Sequence, residues 1–221
     1  MGTIILKGGN RLSSLVLNNY LPLNDRMKQE SGDKSYPIWL LVNPKYATAI
    51  YDIWNPILYE MQDKVYRKLH ARIDTNNIFM KNAVSDIGIV RKSSNWWAAE
   101  VAKEEAILRE SIREYQPKIL VTFGISTYEF VRRVCEMKPV KGPKYWSTTN
   151  LGEELERSIA NFDINQTNRI PLPSRVMKSD KFLEERNHFS WNDNESYFHD
   201  IGTKIADKII ENKDSLKIWI G

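Results

Sequence analysis

The apolar positions of this chain fall into two alternating kinds of segment. Ile38-Trp39-Leu40-Leu41-Val42 is an unbroken apolar run that stops at Asn43-Pro44, the pattern of a strand covered on both faces. From 47 to 70 the period changes. Ile50, Trp54, Leu58, Met61, Val65 and Leu69 recur every three or four residues, as one face of a helix requires. Asn55-Pro56 falls inside that stretch and predicts a break or restart, because proline disfavours helical geometry in the residue before it. Asn77 to Asn82 reads as a second strand. Ser93-Ser94 predicts the cap of a helix with the stripe Trp97, Val101, Leu108, Ile112 and Tyr115, stopped by Pro117.

Lys118 to Phe123 is the clearest strand, and Gly124 with Ser126 or Thr127 turns it directly into a helix that ends near Met137. The stretch 138–167 reads as loop with one short helix around Leu151–Ala160. Arg169 to Leu172 is a short fourth strand closed by Pro173-Ser174. Asn192 or Asn194 caps a last helix that lines up Tyr197, Ile201, Ile205 and Ile209. Strands alternating with helices, the strands continuously apolar, predict an α/β fold: a three-layer α/β/α sandwich around a central four-stranded parallel sheet. The polar, turn-rich residues 1–36 predict a cap or strap on a single domain spanning 1–221.

Ligands of such sheets bind beyond the carboxyl ends of the strands, where the strand order reverses. Asn43-Pro44, Asn82, Gly124 with Ser126, and Pro173-Ser174-Arg175 are therefore expected around one pocket. An amide offers a donor and an acceptor together, which matches a pyrimidine's carbonyl and ring N–H. Each asparagine taken alone is more commonly a turn or strand-end residue.

Composition removes several other classes. The 221 residues are 42% hydrophobic and 27% charged, enough apolar material for a full core. The longest apolar run is too short to span a bilayer, and no basic-then-apolar leader opens the sequence, so a cytoplasmic protein without a membrane role is expected. A single cysteine, Cys135, excludes an internal disulfide framework, an iron–sulfur cluster and a zinc knuckle. The histidines show no metal-ligand spacing, and neither a Walker loop nor Gly-x-Gly-x-x-Gly is present. No cofactor is expected. A net charge of +4 tolerates a nucleic-acid partner without demanding one. Lys138, Lys141 and Lys144 with Tyr145-Trp146 have the composition of a basic-aromatic patch but read better as a solvated loop away from the pocket.

Four segments, in order, resemble the uracil-DNA glycosylase superfamily. Leu40-Leu41-Val42-Asn43-Pro44 is similar to its water-positioning strand end, in the branches with Asn-Pro rather than Asp-Pro. Asn77-Ile78-Phe79-Met80-Lys81-Asn82 is similar to the strand whose last asparagine grips the base. Pro117 to Gly124 is similar to the family's strand-to-glycine segment, and Pro171-Leu172-Pro173-Ser174-Arg175-Val176 to its His-Pro-Ser loop.

The resemblance implies a monomer that acts on DNA carrying uracil or another deaminated base. Asn43 would position the attacking water and Asn82 would read the flipped base. Pro44, Lys45, Tyr46, Trp54, Gly124 and Ser126 would shape the pocket, with Trp54 or Tyr46 stacking on the base. Pro173, Ser174, Arg175, Val176 and Met177 would hold the DNA, Val176 with Met177 as the apolar wedge. The sequence departs from the pattern at Leu172, where the family has histidine, and at Lys45, where it has Tyr or Gly; His188 is the candidate replacement donor. These departures give two rival expectations: a repurposed member that binds a nucleobase, nucleotide or DNA without cleaving it, and a generic small-molecule pocket on the same kind of fold.

Overall fold

In the computed structural model the described residues are 30–43, 49–84, 99–138, 141, 145–172 and 194–220. They form an α/β fold around one five-stranded, mostly parallel sheet. The strands are β1 (Glu30–Ser31), β2 (Ile38–Val42), β3 (Phe79–Asn82), β4 (Ile119–Phe123) and β5 (Asn168–Leu172). They lie in the order β1-β3-β2-β4-β5. Helices α1 (Ala49–Leu69), α2 (Ala99–Tyr115), α3 (Ile125–Val134), α4 (Thr148–Ala160) and α5 (Asn194–Glu211) pack against the sheet.

Four strands run parallel, as expected, but the sheet has a fifth. Two residues of the predicted strap, Glu30 and Ser31, pair antiparallel with Lys81 and Met80. A two-residue strand carries no periodicity, so the pattern of apolar positions cannot reveal it. Its role is visible in the pairing: it covers the outer edge of β3, which would otherwise present unpaired backbone groups.

Every residue of β2 and β4 is buried, and the alternation divides them between two clusters. Ile38, Leu40 and Val42 join side chains of α1, α4 and α5, including Ile57, Leu155 and Ile205. Trp39 and Leu41 join Val101 and Leu108 of α2 and Val131 of α3. Tyr197, Ile201, Ile205 and Ile209 are all buried on one face of α5, as their spacing requires.

The predicted break at Asn55-Pro56 does not occur, and α1 runs through it. Proline inside a helix removes one backbone bond and costs about 3 kcal/mol. Ile53, Trp54, Ile57, Met61 and Val65 flank it on both sides and are buried in one cluster. At about 1.5–3 kcal/mol for each such side chain, that burial outweighs the lost bond. Pro171 lies inside β5 for a different reason. Asn168 N–H donates to Lys118 O and Gly124 N–H to Leu172 O, so the even-numbered residues of β5 carry the parallel ladder. The donor that Pro171 lacks faces the open edge of the sheet.

The basic-aromatic stretch is more committed than a solvated loop. Trp146 is buried, and its indole N–H donates to the buried carboxylate of Glu129 on α3. Arg132 lies over the same ring, and Lys141 lies 3.8 Å from the centroid of Tyr145. Tyr128 donates to Glu154 at 2.9 Å, which joins α3 to α4. Burial pushes the Glu129 carboxyl up from its ordinary range, against the opposing pull of Trp146 and Arg132. The apolar partners of this loop, Tyr128 and Leu151, are supplied by helices that sequence order alone does not bring together.

Helices α1 and α5 meet at Gly202. A Cβ there would lie 2.6 Å from Glu60 Cβ and 2.7 Å from the Ile57 carbonyl oxygen. Gly202→Ala should therefore destabilise the protein by about 1–3 kcal/mol, although alanine is the better helix former by about 1 kcal/mol. Urea unfolding checks this, and an unchanged midpoint would mean the helices can part without penalty. For Glu129 the folded protein holds its proton more tightly than the unfolded chain. Its contribution is greatest below the unfolded pKa and is lost as pH rises from there toward the raised folded value. Urea midpoints should therefore rise for Glu129→Gln relative to the parent as pH rises through that window. A pH-independent difference would contradict the burial argument.

Candidate functional site

Strand β2 enters the middle of the sheet; the chain then places β3 on one side of it and β4 on the other. The order reverses between β2 and β4, so a crevice is expected beyond their carboxyl ends. Asn43 is the first residue past β2 and is buried. Val42 pairs with Asn82, the last residue of β3, and the next N–H, that of Ala83, donates to Val42 O at 2.8 Å. The two asparagines thus end neighbouring strands at one level of the sheet. Strand alternation gives half-buried Asn82 the side of Val42 and Met80, and Asn43 starts the opposite parity.

On the other side of the reversal, β4 passes into α3 through Gly124, with φ 88° and ψ 162°. That combination is essentially confined to glycine. Gly124 N–H donates to Leu172 O at 2.7 Å, and Gly124 O accepts from Tyr128 N–H. This anchors the start of α3 to the end of β5. No side chain caps the helix start, and Ser126 stands half-buried in its first turn. Helix amino termini favour negative charge through their free N–H groups.

Thr122 and Thr127, on either side of this junction, are fully buried, and neither hydroxyl has a hydrogen-bond partner among the described residues. Sequence reasoning passed over Thr122. The only signal was one hydroxyl in the otherwise apolar strand Ile119–Phe123.

The structure thus brings Asn43, Asn82, Gly124 and Ser126 to the carboxyl ends of adjoining strands. It gives Trp54 a different part. Trp54 is 3% exposed and sits in the core cluster with Val42 and Leu172, because position 54 falls on the buried stripe of α1. Its ring is packing rather than an open stacking platform. Leu172, at the position where the resemblance expects histidine, is fully buried in that cluster. His199 is exposed and bonds Glu60 of α1 at 2.8 Å. Pro44, Lys45, Tyr46, Pro173, Ser174, Arg175, Val176, Met177 and His188 lie outside the described residues.

Among the described residues no group of three or more histidine, cysteine or carboxylate side chains is arranged to hold a metal. No helix among them is long and apolar enough to cross a membrane. In comparisons with known protein families, curated proteins and solved structures, the chain matches none. The class defined here is therefore that of the fold: an α/β protein with a five-stranded mixed, mostly parallel sheet packed against helices.

Gly124→Ala should cost about 1–3 kcal/mol, because a Cβ strains the backbone where α3 is anchored to β5. Thermal unfolding checks the direction, and an unchanged midpoint would mean that the junction relaxes freely.

Proposed function

We propose that the protein is a DNA-glycosylase-type hydrolase that cleaves the N-glycosidic bond of a flipped uracil or deaminated base. The observation that carries this reading is the pairing of Val42 with Asn82. It sets two amides, Asn43 and Asn82, at the ends of neighbouring strands, Asn43 on the strand that borders the sheet's reversal and Asn82 on the next strand out. In this reading the Asn82 amide donates to a base carbonyl and accepts from the ring N–H, a match that selects uracil over cytosine. Asn43 orients a water molecule toward the sugar carbon. The water oxygen forms its bond to that carbon as the bond to the base nitrogen breaks. The electron pair leaves with the base, and the proton of the water passes to solvent, since an amide does not hold it.

Negative charge develops on the departing base and needs donors already in place. In this reading the Gly124–Ser126 helix start faces that end of the site, and His188 supplies the donor that Leu172 lacks. Pro44, Lys45 and Tyr46 close the pocket. Pro173, Ser174 and Arg175 contact the DNA backbone, and Val176 with Met177 wedges into the stack. DNA is the partner, the acting species is a monomer and no cofactor takes part.

One observation favours a second reading. Leu172 is packed into the core, so its position offers no donor to a leaving group. A protein that binds a nucleobase, nucleotide or DNA without cleaving it needs none.

A single-turnover assay on uracil-containing single- and double-stranded oligonucleotides separates the two readings. Hydrolysis predicts abasic sites with the parent protein and a rate at least about a hundredfold lower for Asn43→Ala. No cleavage of uracil, hypoxanthine or xanthine at enzyme excess, together with salt-sensitive DNA binding, would replace hydrolysis by binding.

A further inference from the structure

Strand β1 runs antiparallel to β3, with Ser31 opposite Met80 and Glu30 opposite Lys81. Going back along the chain from Ser31 to Glu30 therefore moves toward the carboxyl end of β3, where Asn82 stands. The 29 residues ahead of β1 join the sheet at that end. We propose that this segment is a cationic arm that holds the DNA backbone beside Asn82. The proposal rests on the reading of DNA as the partner and adds to it where the phosphates are gripped.

The root of the arm is fixed. Glu30 pairs with Lys34 at 3.0 Å and with Lys81 at 3.8 Å. At Gly32, φ is 82° and a Cβ would lie 2.1 Å from the Ile78 carbonyl oxygen, so the turn out of β1 requires glycine. Asp33 N–H then donates to Asn77 O, and the Trp39 indole N–H donates to Lys34 O at 3.0 Å. An extended chain advances at most about 3.6 Å per residue, so Lys28 and Arg26 start within about 7 and 14 Å of Glu30. Neighbouring strands lie about 4.8 Å apart. The same span therefore covers the ends of β3, β2 and β4.

Charge distribution selects the chemistry of the partner. Residues 1–29 hold Lys7, Arg11, Arg26 and Lys28 against one acid, Asp25. Of the chain's 32 basic and 28 acidic side chains, the other 192 residues hold 28 and 27. Three of the four net positive charges thus belong to the segment ahead of β1, on a body close to neutral in net charge. The residues at the strand ends, Asn43, Asn82, Gly124 and Ser126, are uncharged. Such groups can read a base but do not attract a phosphate chain. Lys34 and Lys81, at the root itself, both pair with Glu30. A basic segment on a neutral body is the pattern of an arm that binds a polyanion. Here it delivers its charge at the end of the sheet where the base would enter.

The test measures binding of a uracil-containing duplex oligonucleotide by fluorescence anisotropy over a range of salt, with the full chain throughout. The arm variant is Lys7→Gln/Arg11→Gln/Arg26→Gln/Lys28→Gln. The comparison variant, Lys68→Gln/Arg113→Gln/Lys213→Gln/Lys217→Gln, removes the same charge toward the amino ends of the strands. Equal thermal unfolding midpoints verify the fold of each.

The arm variant should bind at least tenfold more weakly than the parent, with a salt slope smaller by about 3. The comparison variant should stay within about twofold of the parent at physiological salt, where distant charges are screened. Equal affinity and slope in the arm variant and the parent, or an equal loss in the comparison variant, would overturn the arm and leave the glycosylase reading standing. Arm-dependent binding without abasic sites would overturn hydrolysis and support the arm. Absence of binding by the parent would overturn both. Arm-dependent binding to vesicles of phosphatidylcholine and phosphatidylserine, with none to the oligonucleotide, would overturn the proposal in favour of a lipid surface.

Discussion

Strand β2 is buried on both faces and paired along both edges, and the rest of the structure is arranged to meet those demands. A backbone with no access to water must find a partner for its polar groups in neighbouring strands. Parallel β3 and β4 supply them. Parallel neighbours cannot be joined by tight turns, so each strand returns through a helix. Those helices cover the faces: α1 and α5 against Ile38, Leu40 and Val42, and α2 and α3 against Trp39 and Leu41. The same constraint explains the composition of the outer strands. Asn168, Arg169 and Pro171 are tolerable in β5 and not in β2, because among the described residues β5 pairs on one side only.

Placing β2 in the middle also gives the sheet two chemically different ends. At the carboxyl ends the chain leaves the strands through Asn43, Asn82 and Gly124, two amides and a glycine. At the amino ends the connections are bound to one another through Asn77, Ile218 and Pro37, and they enclose a groove lined by Asp33, Asp74, Lys118 and Lys217. The hydrolytic reading uses the first end. The two ends share the strands but no residues.

The edge of the sheet at β5 shows how polar groups are managed when they cannot be excluded. Between α3 and α4, Glu129 accepts from Trp146, and Glu154 accepts from Tyr128 and pairs with Arg157. At the foot of β5, buried Asn168 accepts from Asp163 N–H and donates to Lys118 O and Asp163 O. One side chain thus joins the loop before β5 to the strand beside it. Each of these groups would be costly if buried alone, and together they fasten α4 and the preceding loop to the body of the fold.

Local pattern determined the elements in which apolar spacing is strong. The runs Ile38–Val42 and Ile119–Phe123 and the stripe Tyr197, Ile201, Ile205, Ile209 were legible because burial on a regular element imposes its period on the sequence. The turn at Gly124 was legible too, since few other residues adopt that backbone. So were Asn43 and Asn82 as strand-end residues, though not the side of the sheet each would take. Other features depended on partners distant in the chain. Pro56 stays inside a helix because α5 and the sheet bury the residues around it. Trp54 became core for the same reason, and Trp146 became buried because Glu129 on another helix accepts its indole N–H. The two-residue strand β1 exists only as an edge for β3, and the amino-end groove exists only where four connections converge. Short-range periodicity records what one element must bury; which element lies opposite, and what the two enclose, is decided by long-range packing that only the tertiary structure contains.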